Sequence, residues 1–327
     1  GLAGTALTTG GNNVALGFEA LKTEDTSGSA TAIGYQALRL QNSGGSNSYN
    51  TAVGVSAGTA VTTGNQNTLL GSLAGTSLTD ADFNVALGMS SLEADTLGSK
   101  STALGFQTLK NQNFTTATDS FNVAVGHQAG LSISTGIRNT LIGSGAGDAL
   151  TDADLNVAVG RDALTSDTLG SQSVAIGTNA LANQNFTTAT NSLNTAVGHS
   201  AGSSVTTGLN NTIVGGLAGD ALTTGFANQF FGYGAGGSFT DADYNIAIGH
   251  SALDADTKGN RAVAIGHTAL SAQNFTTSTD NYNVAIGFQA GLSITTGIEN
   301  TIIGSLAGDA LTDADFNVAV GKSALSA

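Results

Sequence analysis

The sequence predicts an all-β chain, a parallel β-solenoid of about 18 coils, on three observations. A phrase of the form Asn-(Val/Thr)-Ala-(Val/Ile/Leu)-Gly-x-x-Ala recurs from end to end, its glycines mostly 17 residues apart from Gly17 to Gly321. A fixed period this short marks stacked units, each too small to bury its own apolar face. Proline is absent while glycine numbers 46, which suits a backbone held in ladders and differs from disordered low-complexity sequence. The three residues before each glycine are mostly apolar or Thr and often β-branched, as in Val123-Ala124-Val125 and Val284-Ala285-Ile286, which reads as a short strand.

Within one coil, numbered from its glycine, each column has a physical reading. Glycine itself, at Gly17, Gly54, Gly126, Gly198 and Gly287 among others, fits positive φ or a close backbone approach. Position −4 is Asn in 14 coils, including Asn50, Asn122, Asn194 and Asn283, where an amide can ladder to its neighbours. Position −2 is Ala in 13 coils, including Ala124, Ala196 and Ala285. Both faces of the strand are apolar, so both are expected to be covered. Positions −3 and −1 are expected to pack inside a thin roll against a second strand about ten residues before each glycine, at Val61, Leu78, Ile133 and Leu150. The alanine column is then left for other copies of the chain, so a homo-oligomer is expected with alanine at the seam.

Wider gaps before Gly54, Gly126, Gly198 and Gly287 mark insertions. Three carry Asn-Phe-Thr-Thr, and Phe114, Phe186 and Phe275 are expected to fold back onto the roll. Phe114 and Phe186 lie 72 residues apart, which indicates a duplicated four-coil block, followed later by one additional coil. The whole of 1–327 reads as one solenoid domain, a piece of a longer fibre, roughly 85 Å long at about 4.8 Å per coil.

At this point Asn283–Gly291 (Asn-Val-Ala-Ile-Gly-Phe-Gln-Ala-Gly) and Asn194–Gly202 (Asn-Thr-Ala-Val-Gly-His-Ser-Ala-Gly) carry a resemblance. They resemble the YadA-like head repeats of trimeric autotransporter adhesins and the repeat shafts of phage tail fibres. The resemblance covers essentially the whole chain, although adhesin-head coils are typically shorter than 17 residues. It implies a left-handed β-roll in a homotrimer, placed outside the cell, on its surface or on a virion, with a role in attachment. A cell-surface glycan or protein receptor would be the partner.

Charge narrows the function further. Nine Lys plus Arg against 23 Asp plus Glu give a net charge of −14, which repels phosphate backbones, so no nucleic acid partner is expected. No apolar run approaches the roughly 20 residues of a membrane span, so no membrane insertion is expected. With no cysteine there is no thiolate chemistry. Glycine clusters such as Gly143–Gly147 lack the following helix that a phosphate loop needs.

Two other sets of residues bear on ligands. Thr-Asp-Ala-Asp recurs with Asp80 and Asp82, Asp152 and Asp154, Asp241 and Asp243, and Asp313 and Asp315. With Glu93, Asp95, Asp167, Asp254 or Asp256 one coil on, these corners are weak candidates for Ca²⁺. Val157 and Ala163 stand where an EF-hand needs Gly and Glu, so carboxylates capping turn amides are the preferred reading. His127, His199, His250 and His267 share position +1 with Phe18, Tyr35 and Arg161, and read as surface residues. No cofactor and no enzymatic activity are expected. The leading function is a structural, adhesive fibre shaft; the alternatives are an end-to-end filament subunit and, with less support from its irregular Thr pairs, an ice-binding solenoid.

Overall fold

A computed structural model describes residues 1–326. It is all-β, with no helix among the described residues, and its coils fall in two compact units, Gly1–Arg161 and Asp162–Ala327. Each unit contains nine three-residue strands, one per coil, from Val14–Leu16 to Val157–Val159 and from Val174–Ile176 to Val318–Val320. Within each unit successive strands pair in parallel with no register shift, so Val123-Ala124-Val125 lies against Thr140-Leu141-Ile142. The parallel β-solenoid of about 18 coils is therefore present as the repeat implied.

The strands are short because left-handed residues bracket them. Every coil has positive φ at −5, 0, +2 and +4, as at Phe121 (51°), Gly126 (130°), Gln128 (57°) and Gly130 (60°). Position 0 must be glycine: a Cβ on Gly126 would lie 2.6 Å from the carbonyl oxygen of Gly143 one coil on. The ladder of position −4 is also in place. Asn139 N–H donates to Asn122 Oδ1 at 2.9 Å, while Asn139 Nδ2 donates to the Ala153 carbonyl at 2.8 Å. Each amide thus serves coils on both sides of its own, satisfying backbone groups that the short strands leave unpaired.

The alanine column is not a seam. Ala32, Ala52, Ala86, Ala124, Ala196 and Ala285 are all fully buried within the single chain, and the residues at −3 and −1 point outward. The expected orientation is inverted because the coil interior is narrow. Across from each alanine stand side chains at +4 and +7, and they leave room for a methyl group only. Where position −2 is large, both flanking +4 positions are glycine: Cβ atoms on Gly130 and Gly147 would each come within 2.8 Å of Leu141. The same exchange puts Leu69 between Gly58 and Gly75, and Phe230 between Gly219 and Gly236. Volume is held constant by trading it between columns, as close-packed interiors require.

The second strand expected ten residues before each glycine does not form. Val61, Leu78, Ile133 and Leu150 are fully buried, but in irregular backbone between left-handed turns. Coils still bond there, for example Thr62 N–H to the Thr79 carbonyl at 2.9 Å. Two-residue strands occur instead beside the insertions, pairing Gly98–Ser99 with Thr118–Asp119, Gly170–Ser171 with Thr190–Asn191, and Gly259–Asn260 with Thr279–Asp280. Phe114, Phe186 and Phe275 fold back as expected and are at most 7% exposed.

Candidate functional surfaces

The inverted strand leaves an apolar face on the outside of each unit. Val, Ile, Leu and Phe231 at −1 form it, with Leu87 49%, Ile142 40%, Ile248 38% and Ile303 38% exposed, beside Val, Ile, Thr and Gln229 at −3. The −1 column is apolar in all nine strands of each unit, which is more than scattered exposure. Alongside it runs the +1 column. Phe18 stacks on Tyr35 and Phe106 on His127, with ring centroids 5.6 and 5.4 Å apart. In the second unit Tyr233, His250, His267 and Phe288 form one stack at 5.4, 5.2 and 5.3 Å. His127, His199, His250 and His267 are exposed, as the sequence indicated.

The acidic corners divide into two chemistries. In each Thr-Asp-Ala-Asp, the second carboxylate caps a backbone amide of the preceding coil. Asp82 accepts from Asn65 N–H, Asp154 from Ile137, Asp243 from Phe226 and Asp315 from Ile298, each at 2.8 Å. The first is more exposed: Asp80 and Asp152 accept from Thr63 and Thr135 hydroxyls, Asp241 faces Lys258 at 3.7 Å, and Asp313 accepts from Thr312. No group of three or more acids or imidazoles able to hold a metal occurs among the described residues.

Asp95, Asp167 and Asp256, which the sequence grouped with those corners, are not surface carboxylates. They are buried at +7, where other coils carry Val61, Ile133 or Leu150. Asp95 accepts from Gly98 and Phe114 N–H groups at 3.0 Å and from Gln112 Nε2 at 2.6 Å. Gln112 also donates to Ser101 and accepts from Asn122, and Ser101 bonds Ser120, so five buried residues form one network. Burial pushes the Asp95 carboxyl above its ordinary value of 3.8, against the pull of Gln112, Phe114 and Gly98. Asp167 with Gln184 repeats the arrangement, as does Asp256 with Gln273. In the last case Ala262 and Asn281 replace the two serines, and Asn281 Nδ2 has no partner. These acids fix the start of each Phe insertion. A sequence signal was available: Leu at +4, an acid at +7, and Gln one coil later always occur together before an Asn-Phe-Thr-Thr insertion.

The second unit also contains a cleft of about 300 Å³, lined by Leu217, Asp220, Tyr233, Gly234, Gly237, Ser238, Ser251 and Asp254. It lies on the coil around Gly232, whose interior is filled by Phe230 stacked on Phe239 at 5.5 Å. Compared with known proteins, the chain matches no family model and no curated protein.

Proposed function

We propose that this chain is part of the shaft of a homotrimeric, left-handed β-roll fibre that spaces or presents receptor-binding parts of an extracellular adhesin or phage tail fibre. One observation carries the reading. The interior of most coils is filled with alanine at −2, yet the −1 column of Val, Ile, Leu and Phe stands outside for nine coils in each unit, beside a −3 column of Val, Ile, Thr and Gln229. A chain with a net charge of −14 has no difficulty keeping a surface polar, so an outward stripe of Val, Ile and Leu calls for a partner of the same shape. Strands of three such faces brought around one axis bury it completely, with the +1 rings flanking the seam. The repeat phrase resembles those of trimeric fibres, and the role is structural and adhesive rather than enzymatic. By that resemblance its site of action would be a cell surface or virion, with a glycan or protein receptor as partner and neither nucleic acid nor a bilayer.

The test is the solution mass by light scattering. A species of three times 32.1 kDa is the expected result. A folded monomer at micromolar concentration would contradict it, and would leave the −3/−1 face as a surface for something other than copies of this chain.

A further inference from the structure

The coil around Gly232 departs from its neighbours on its outer surface as well as in its core. At position +1 other coils of this stack carry a ring, but the coil before Tyr233 has Gly216 there. Tyr233 therefore stacks on His250 with one face, and its other face looks over Gly216, whose added Cβ would sit 3.6 Å from the ring. Gly234 and Gly237 remove two more side chains beside it. On either side of Gly237 stand the carboxylates of Asp254 and Asp220, whose Oδ1 atoms lie 2.9 and 3.6 Å from where its Cβ would be. Among the described residues neither carboxylate has a Lys or Arg partner. Burial holds the Asp220 carboxyl above its ordinary value, and the charge of Asp254 pushes it further in the same direction. Ser238 and Ser251 add two hydroxyls to the rim.

Tyr233, two carboxylates without a Lys or Arg partner and two hydroxyls line one small cleft and select a ligand with three properties. It has an apolar face to lie on the tyrosine, a positive charge to satisfy both acids and hydroxyl groups for the serines. Anions are excluded by the charge. A lone hard cation is a poor fit, because it wants six or more oxygens at about 2.3–2.6 Å and the cleft is far wider than an ion. We infer that the cleft binds an amino sugar, the pyranose lying on the free face of Tyr233 and its ammonium held between Asp220 and Asp254. This goes beyond the fibre reading and does not depend on it: Asp220, Gly237 and Asp254 lie at +5, off the −3/−1 face, and a monomer would still carry the cleft.

The test is a titration of the full chain with D-glucosamine by calorimetry and saturation-transfer NMR, with D-glucose and N-acetylglucosamine as comparisons. Glucosamine is expected to bind with a Kd of about 1 mM, as suits one small ring in an open cleft. The two uncharged sugars are expected to bind at least about tenfold more weakly, since one charged hydrogen bond exceeds 1.4 kcal/mol. Gly216→Phe, which continues the ring stack over Tyr233, and Asp254→Asn should each weaken glucosamine binding by about tenfold or more at unchanged melting temperature. Equal binding of all three sugars, no binding to the folded chain, or full binding by Gly216→Phe would overturn the inference. So would equal binding of an N-acetyl-lysine amide, which would make the sugar ring irrelevant. Displacement of glucosamine by 1 mM Ca²⁺, lost in Asp254→Asn, would assign the cleft to a cation instead.

Discussion

Around Asp95 and Gln112 the +7 column of the first unit joins a hydrogen-bonded network, whereas at Ile133 and Leu150 in the same unit that column is aliphatic. The backbone is the same in both, with left-handed residues at the same four positions. The switch lies in two columns: Leu109 at +4 accompanies Gln112 at +7, and Gly130 at +4 accompanies Ile133. The aliphatic coils close on themselves and need no insertion. The polar coils use their buried acid to hold the N–H of Phe114, and with it the four-residue insertion. A uniform solenoid can therefore carry ordered loops at chosen coils without changing its stacking. The difference is one of chemistry at +7, not of fold.

Several changes break that comparison, beginning with the largest. Asp95→Ala leaves the Gly98 and Phe114 N–H groups and one Gln112 N–H without their acceptor, at about 1–3 kcal/mol each, so a loss of about 3 kcal/mol or more is expected in urea unfolding. The same change should open the Asn113–Thr116 loop to protease. Leu141→Ala in the aliphatic pair should cost about 3 kcal/mol through its cavity, yet leave the loop protected. If both variants expose the loop equally, the two coil types are not separate devices.

A pH series sharpens the contrast. The folded Asp95 carboxyl lies above its ordinary value because it is buried. Such a group contributes stability that is fully present below the unfolded pKa, near 3.8, and is lost as pH rises through the folded value. Protection of the Gly98 and Phe114 amides against hydrogen exchange, corrected for intrinsic rate, should therefore be greater on the acid side of that window. Amides around Leu141 should show no such change. The smallest effect belongs to the third network: Ala262→Ser with Asn281→Ser restores the pair seen at Ser101 and Ser120, and should add about 1 kcal/mol. A destabilised double variant would mean that the Asn281 network has its own solution.

Much of this was legible in the sequence. Period, coil number, the glycine and asparagine columns and the inward Phe residues all follow from rules about backbone and turn chemistry. The face of the strand did not, and for a physical reason. Alternation tells which residues share a side, but Val123, Ala124 and Val125 are all apolar, so hydrophobicity cannot choose the inside. Size chooses it, because the roll is too narrow for valine opposite leucine. The clue was the trade between Leu141 and its glycine neighbours Gly130 and Gly147, which only a shared interior explains. Asp95 was misplaced in the same way: an acid suggests a surface until the Gln one coil on and the Phe amide are seen to need it. The cleft at Gly234 and Gly237 had no sequence signal beyond an excess of glycine.

The proposed seam is tested most directly with single cysteines, since the chain has none of its own. Ile248→Cys lies on the outward column and Ala247→Cys on the inward one. Under mild oxidation, Ile248→Cys should give chains linked in pairs within a trimer, and Ala247→Cys should stay unlinked and unreactive to maleimide. Linkage through residue 247, or an Ile248→Cys that labels freely in a folded monomer, would contradict the assignment of the −3/−1 face as the inter-chain seam.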